Sequence, residues 1–321
     1  MRKLLFSAFA LASLTTICPA QTLTETFGSG ANAFTMDFVT IGNPGNTADD
    51  TGFGSVAYSY NMGKHEVSRG QIDKANAVGS LGITIYDMTS YNGNGVNRPA
   101  TGVSWYEAGK FVNYLNISSG SSAAYKFDGS GNFQLWSSGD IGFNESNQYR
   151  NSLAKFFLPS ADEWYKASYG SPNGIWYDYP TGSNNAPAPV VGGTDVNTAV
   201  YNRYDWESTT ADIFDAGGSS AYGTMAQGGN VWEWNESAFD GHNDMSDKMR
   251  DLRGGSWGYG GELAMNASTV SPHDPNVEEH SIGFRVAMIP EPSSLSLLVL
   301  GGVVLALRRR REYIIVVVAR L

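Results

Sequence analysis

Cysteine is nearly absent from this chain, since Cys18 is the only one among its 321 residues. A single thiol cannot build a disulfide framework or a zinc site of several thiolates. Basic residues are also scarce, with 21 Lys and Arg against 31 Asp and Glu. Because a phosphate backbone is held by clusters of Lys and Arg, this balance argues against nucleic acid as a partner.

Long apolar runs are missing between the two ends of the chain, although apolar residues are plentiful there. Apolar residues make up 41% of the sequence, and eight of them are tryptophans with large side chains to bury. Such a composition excludes intrinsic disorder and can supply a sizeable core. The length allows one large domain or two of ordinary size.

The first 20 residues have the pattern of a signal peptide. Two basic residues precede an apolar run at residues 4–14, and small residues lie near Cys18 where a peptidase would cut. We therefore expect an exported protein whose mature chain begins near Gln21. The alternative is a lipoprotein anchor on Cys18, against which Ile17 counts because a small residue is expected there.

The other end of the chain combines three features in a fixed order. Pro290, Glu291 and Pro292 are followed by an apolar stretch at residues 295–307 and then by Arg308, Arg309, Arg310 and Arg311. This arrangement resembles the PEP-CTERM sorting signal. The resemblance implies that an exosortase-type sorting protease recognises and cuts the tail in the envelope of an exopolysaccharide-producing Gram-negative bacterium.

The apolar stretch of this tail is shorter than the ~20 residues of an ordinary membrane-spanning helix. We predict that residues 289–311 hold a short transmembrane helix in the inner membrane, with the four arginines on the cytoplasmic side. A plain membrane anchor that is never cleaved is the alternative. Residues 312–321 form an apolar extension that the sorting signal does not explain.

Removal of both ends makes the remaining chain strongly acidic. Residues 1–20 and 291–321 carry seven of the 21 basic and two of the 31 acidic residues, which leaves 14 basic and 29 acidic side chains. The domain between them therefore has a net charge near −15. That charge favours a soluble exported domain or a site for cations over one that grips an anionic polymer.

Residues 21–288 are predicted to form one domain, because no Pro- or Ser-rich linker divides them. Glycine and asparagine recur there in turn-forming pairs. Helical periodicity is confined to residues 71–78, 105–115 and 160–168, and strand patterns to residues 34–41, 55–62 and 283–287. The sequence thus predicts an α+β domain with much irregular, glycine-rich chain.

Five segments of this domain form an ordered set. They are GKHEVS at 63–68, RPATGVSW at 98–105, LPSADEW at 158–164, GGNVWEW at 228–234, and LRGGSW at 252–257 closed by GFRV at 283–286. Together they resemble the formylglycine-generating enzyme (sulfatase-modifying factor) family. The resemblance implies a variant of the C-type-lectin fold, with little regular secondary structure and a small mixed sheet.

The resemblance also identifies where catalytic members of that family hold copper(I). They use two cysteines, five residues apart, just after the Gly-Gly-Ser-aromatic segment, and Tyr259 and Ala264 occupy those positions here. Neither side chain can replace a soft thiolate, so we expect no copper. The four histidines show no ligand-like spacing for the iron of the related sulfoxide synthases.

A calcium site of the family lies around its Asn-Val-Trp-Glu segment. The resemblance places its ligands at the Gly229 and Val231 carbonyls and the Glu233 carboxylate, which are the oxygen ligands that calcium prefers. The upstream acid or amide of the family falls on Ala226, which has no side-chain oxygen. A second family site would draw on the region of Asp205. Calcium is therefore a possible cofactor in this interpretation.

Two functions stay open at this point. The first is an exported, non-catalytic binding or structural module whose ligand is an exopolysaccharide or a surface protein, with Tyr86, Tyr91, Trp176 and Tyr177 as candidate contacts. The second is a superfamily enzyme with different chemistry, which a cleft containing Glu66, Asp162 or Glu262 would favour. A filled surface at Tyr259 and Ala264 would favour the first.

Overall fold

The computed structural model describes residues 22–201, 209–258 and 260–290. Three α-helices are present in this part of the chain: α1 (Arg69–Gly79), α2 (Trp105–Ser118) and α3 (Ala161–Tyr169). Each begins after a serine whose hydroxyl accepts from the backbone N–H three residues on, and the Gln or Glu there accepts from the backbone N–H of the serine. These capping boxes fix where the helices begin.

The strands are mostly short. They are β1 (Thr22–Phe27), β2 (Phe34–Ile41), β3 (Tyr60–Gly63), β4 (Lys126–Phe127), β5 (Phe133–Gln134), β6 (Phe156–Phe157), β7 (Ala188–Pro189), β8 (Thr198–Ala199), β9 (Trp232–Ala238), β10 (Arg250–Arg253), β11 (Ser271–His273), β12 (Ile282–Gly283) and β13 (Ala287–Met288). Short 3-10 helices cover Gly30–Asn32, Thr89–Tyr91 and Glu262–Met265.

Most of these strands belong to two sheets. One is antiparallel in the order β1-β2-β3-β13-β6, and the other is mixed in the order β11-β10-β9-β12 because β12 runs parallel to β9. Two-stranded ladders join β4 to β5 and β7 to β8. The two larger sheets therefore meet in the segment that leads from β12 to β13.

Two strand predictions need correction. Residues 55–59 are not a strand, since Val56 exchanges hydrogen bonds with the Gly45–Asn46 loop and the strand begins at Tyr60. Residues 283–287 are not one strand either, because β12 and β13 belong to different sheets. Three buried residues lie between them, and the charged one, Arg285, requires a partner in the core.

The core lies between the sheets and α2. Trp105, Trp164 and Trp234 are fully buried, and Trp257 is 5% exposed. The Trp105 indole N–H donates to the Asn235 carbonyl at 3.0 Å, and that of Trp234 to the Val103 carbonyl at 2.8 Å. Large indoles that also hydrogen-bond backbone explain how so much irregular chain is held in place.

Within residues 22–201, 209–258 and 260–290, no helix is long and apolar enough to cross a membrane. The predicted signal peptide, the tail from Glu291 onward, Asp205 and Tyr259 all lie outside the described residues.

Candidate functional site

The Asn-Val-Trp-Glu segment places Glu233 in the centre of the molecule. Glu233, the second residue of β9, pairs with Arg253 of β10 and with Gly283 of β12, and its side chain is fully buried in the core. There it accepts two hydrogen bonds from Arg285, Nη2 to Oε1 at 2.5 Å and Nε to Oε2 at 2.6 Å, and both side chains are fully buried. The Trp164 indole donates to Oε2 at 2.5 Å. This bidentate pair ties β9 to the chain between the two sheets.

This pairing does not fit calcium at Glu233. Both carboxylate oxygens already accept from a cationic guanidinium, which would repel a divalent cation brought to the same group. Ala226, the upstream position, is buried and brings no oxygen side chain. Among the described residues, no group of three or more His, Cys, Asp or Glu could hold a metal ion.

The interpretation of Gly229, Val231 and Glu233 as calcium ligands is therefore not supported by the geometry. Gly229 has another role: its φ of +79° and its contact with the Val200 carbonyl leave no room for a side chain. The part of the second site at Asp205 lies outside the described residues. Calcium stays an untested prediction, which native mass spectrometry of the exported protein before and after chelation would decide.

Glu66 lies beside this ion pair. Its carboxyl group accepts from Asn230 Nδ2 at 2.6 Å and from the Val231 backbone N–H at 3.3 Å. Burial, together with the nearby negative charge of Glu233, raises the pKa of Glu66 well above its usual range. A neutral Glu66 with these partners orders the segment before β9, which is a structural role.

The other acids proposed for an enzyme lie elsewhere. Asp162 accepts from the Gly54 backbone N–H at 2.8 Å at the start of α3, and Glu262 is exposed in the 3-10 helix Glu262–Met265. No described hydrogen bond or ion pair links either of them to Glu66. The three acids therefore share no direct hydrogen bond within the described residues.

The second family cysteine position is occupied and closed. Ala264 is 5% exposed, and a Cβ added at Gly255 would lie 3.0 Å from the Ala264 methyl group. A Cβ at Gly260 would come closer still, so the methyl group fills the space between two glycine backbones. Tyr259, the other position, lies outside the described residues.

A cluster of four aromatic side chains lies next to this segment, and we call it the aromatic cluster: Tyr86, Tyr91, Trp257 and His280. Tyr91 and His280 are stacked, with ring centroids 5.0 Å apart and an angle of 9° between planes. Trp257 lies 5.2 Å from Tyr91 and 5.6 Å from His280. Tyr86 lies 5.6 Å from His280 and is 41% exposed. Four rings from three distant segments thus form one aromatic surface.

Polar groups adjoin the aromatic cluster. The 3-10 helix Thr89–Tyr91 also borders a hollow of about 470 Å³ lined by Asn92, Asn94, Arg98 and Asp212. Arg98 Nε lies 3.5 Å from Asp212 Oδ1, with both side chains partly exposed. The buried Trp257 indole N–H has no hydrogen-bond partner among the described residues. Aromatic faces beside amide, guanidinium and carboxylate groups can bind a ring that has polar edges.

Two of the four members of the aromatic cluster are predicted as ligand contacts from the sequence. Tyr86 and Tyr91 are the predicted contacts, whereas the sequence favours a structural role for Trp257 and His280. Burial lowers the pKa of His280, which favours the neutral ring at neutral pH. No local sequence pattern predicts the aromatic cluster, because its members come from three segments that are far apart in the sequence.

The predicted contacts Trp176 and Tyr177 do not join the aromatic cluster. Trp176 packs against Tyr165, with ring centroids 5.7 Å apart, and lines a different cavity with Lys166. The Tyr177 backbone N–H donates to the Tyr169 carbonyl at 2.9 Å. The four candidate aromatics therefore divide between two surfaces.

The two sheets, the short capped helices and the long ordered loops define a C-type-lectin-like fold of the formylglycine-generating-enzyme type. A family model, described as "Sulfatase-modifying factor enzyme 1-like domain", matches residues 54–289. The chain belongs to this FGE-sulfatase family. A second model, the PEP-CTERM protein-sorting motif, matches residues 289–311 and confirms the sorting signal.

Solved structures show the same fold at low sequence identity. Treponema denticola variable protein 1 is 21% identical with a TM-score of 0.57, over 84% of this chain and 99% of that one. CarF is 20% identical with a TM-score of 0.56, over 85% and 99%. PvdO from Pseudomonas aeruginosa is 16% identical with a TM-score of 0.50, over 83% and 98%. At these identities, the likeness concerns the fold alone.

A curated relative adds little about function. The protein named "Uncharacterized protein YfmG", from Bacillus subtilis (strain 168), is 30% identical over 94 residues. The match spans 25% of this chain and 19% of that relative.

Proposed function

We propose that this protein is an exported, non-catalytic binding module of the FGE-sulfatase family that holds a polysaccharide at the cell surface. The observation that carries the proposal is the closed position at Ala264, where catalytic relatives would need a copper-binding thiolate. The chain's one cysteine, Cys18, lies in the predicted signal peptide, so no thiol is left for that chemistry.

The aromatic cluster supports a carbohydrate as the ligand. The exposed Tyr86 and the half-buried Tyr91 can pack against the apolar face of a sugar ring. The adjoining amide, guanidinium and carboxylate groups can exchange hydrogen bonds with its hydroxyls. The net charge of the domain disfavours a strongly anionic polymer on this surface, so we expect a neutral or weakly charged polysaccharide.

Affinity electrophoresis tests this proposal. The exported protein runs through gels that contain exopolysaccharide from the producing bacterium, beside Tyr86→Ala and Tyr91→Ala variants. We expect retardation of the wild type and at least a fivefold weaker apparent affinity for Tyr91→Ala, because its stacking surface is lost. Phe239→Ala is the matched control, since Phe239 is 50% exposed and lies outside the cluster. Equal retardation of all four proteins would refute the assignment.

The sorting motif at residues 289–311 suggests how the protein reaches the cell envelope. We propose that an exosortase-type protease recognises residues 289–311 and cuts there, after the apolar stretch has held the protein in the inner membrane as a short helix. The mature domain is then in the cell envelope or outside the cell. Stable anchoring without cleavage is the alternative outcome.

A superfamily enzyme with different chemistry is the second candidate. It is favoured by membership in a family that includes oxidases. It is opposed by the hydrogen-bond partners of Glu66 and Asp162, which are Asn230 and the Gly54 backbone and not each other. Conversion of the cysteine in a sulfatase-type peptide by the exported protein would establish it. We expect no conversion.

A further inference from the structure

Lys166 is buried in α3 without an acidic partner. The residue is 1% exposed, and its Nζ donates to the backbone carbonyl of Asn43 at 2.8 Å. No carboxylate forms an ion pair with it in the described ranges 22–201, 209–258 and 260–290. An ammonium group has three donors, so one carbonyl leaves two of them without a described acceptor.

Lys166 is one of the residues that line a cavity. The cavity has a volume of about 170 Å³, and Lys166 lines it together with Trp176 and Tyr222. Asn43, Thr47 and Ile175 also line it, and all three are exposed, so the cavity reaches the surface. At ~30 Å³ for each water molecule, the volume corresponds to about six waters, or one group the size of a sugar ring.

The walls of the cavity come from three distant segments. Lys166 is on α3, Asn43 and Thr47 belong to the loop after β2, and Tyr222 lies in the chain before β9. Gly170 has a local reason to lack a side chain, since its Cβ would lie 3.0 Å from the Trp176 ring. The arrangement therefore holds an aromatic face, a phenol and a cation around one small space.

A buried cation without a counterion is costly, and an anion that enters the cavity would relieve that cost. The acidic domain as a whole opposes a long anionic polymer, which leaves a single small acid as the matching ligand. Trp176 can pack against an apolar ring face, as indoles do in sugar sites. The chemistry of the lining therefore matches a carboxylate on a ring-sized polar molecule.

We propose that the cavity of Lys166, Trp176 and Tyr222 is a binding site for one uronic acid residue, with its carboxylate on Lys166 Nζ and its ring against Trp176. This site is separate from the aromatic cluster, and the proposal does not depend on the function assigned to that cluster.

Isothermal titration of the exported full protein tests the site. The probes are D-glucuronate, D-glucose as its neutral counterpart, and N-acetylglycine as a carboxylate without a sugar ring. We expect D-glucuronate to bind at least tenfold more tightly than either of the others. Equal binding of D-glucose would remove the role of Lys166, equal binding of N-acetylglycine would remove the sugar, and no binding of D-glucuronate would overturn the proposal.

Variants test whether D-glucuronate binds at this cavity and not elsewhere on the molecule. Lys166→Met keeps the length of the side chain without the charge, and we expect it to weaken D-glucuronate binding at least tenfold. Lys248→Met is the control, because Lys248 already pairs with Asp240 at 2.6 Å and Asp244 at 2.5 Å. Tyr91→Ala should leave D-glucuronate binding unchanged even if it abolishes polysaccharide retention. A folded Lys166→Met protein with wild-type affinity would contradict the proposal.

Discussion

Lys166 is a buried cation that lines the cavity with Trp176 and Tyr222. Burial lowers the pKa of Lys166 from 10.5 to about 8, and no other charge contributes to that shift. Tyr222, the titratable neighbour across the cavity, has its pKa raised to about 12 by burial and stays neutral over the same range. The protonation of Lys166 is therefore linked to folding over a window that Tyr222 does not share.

The lowered pKa of Lys166 makes the stability of the folded protein depend on pH. Below pH 8, Lys166 is charged in both the folded and unfolded states, so the folded state bears the full cost of the buried charge. Between pH 8 and pH 10 the unfolded chain binds more protons, so stability rises with pH. We expect ligand-free Lys166→Met to gain stability relative to the wild type at pH 7, because the wild-type amine is charged there and the variant carries no charge.

Urea denaturation at pH 7 and pH 10 measures this effect. The difference between the two proteins should shrink at pH 10, because the wild-type amine is then largely neutral in the folded state. The comparison cancels the tyrosines and acids that both proteins share. A difference that stays constant with pH would show that the variant acts through packing and not through the charge.

At the scale of elements, α3 is tied to β9 by a buried ionic network. Arg150 Nε lies 2.7 Å from Glu236 Oε2 on β9, and its Nη2 lies 2.9 Å from Glu163 Oε2 on α3. The guanidinium carbon also lies 3.8 Å from the centre of the Phe157 ring. Glu163 also accepts a hydrogen bond from the Ser160 backbone N–H at 2.7 Å. One carboxylate therefore both caps α3 and joins it to Arg150.

Removal of Arg150 should therefore destabilise the fold strongly. Arg150→Met leaves two buried carboxylates without their cation, and we expect a loss of about 3–5 kcal/mol. Thermal denaturation followed by circular dichroism measures it. The control Lys248→Met removes a cation whose acidic partners are half exposed, and it should leave the melting temperature close to that of the wild type. Similar losses for both variants would show that the network is not held as the structure indicates.

At the scale of the whole molecule, the sorting motif matches residues 289–311 near the C-terminal end of the sequence. The four arginines at residues 308–311 belong to the matched sorting motif, whereas Arg320 lies beyond it. We expect replacement of the four arginines by alanine to leave a larger, uncleaved form in the membrane fraction. Intact-mass analysis and cell fractionation measure both properties.

The control for the tail is Arg320→Ala, which removes one arginine of the extension and leaves the motif intact. It should be processed like the wild type. Unchanged cleavage after loss of residues 308–311 would contradict the proposed sorting step, and cleavage lost with Arg320→Ala would show that the extension takes part.

Local signals were enough to predict the helices and the family. Ser104 with Glu107 and Ser160 with Glu163 lie three residues apart, so the capping boxes of α2 and α3 are visible in the sequence. The strand at Phe34–Ile41 was also predicted correctly, because its apolar residues recur over eight positions. The two-residue strands are too short to carry any periodicity, and the change of sheet around Arg285 has no local signature.

Membership of the FGE-sulfatase family, the sorting motif and the lack of a pair of thiols can be recognised in the sequence alone, because each depends on which residues are present and in what order. The pairing of Glu233 with Arg285 and the stacking of Tyr91 on His280 are visible only in the folded chain. The tertiary structure alone also placed Lys166 at a cavity without an acidic partner among the described residues. These contacts join segments far apart in the chain, and burial and pairing are properties of the assembled core.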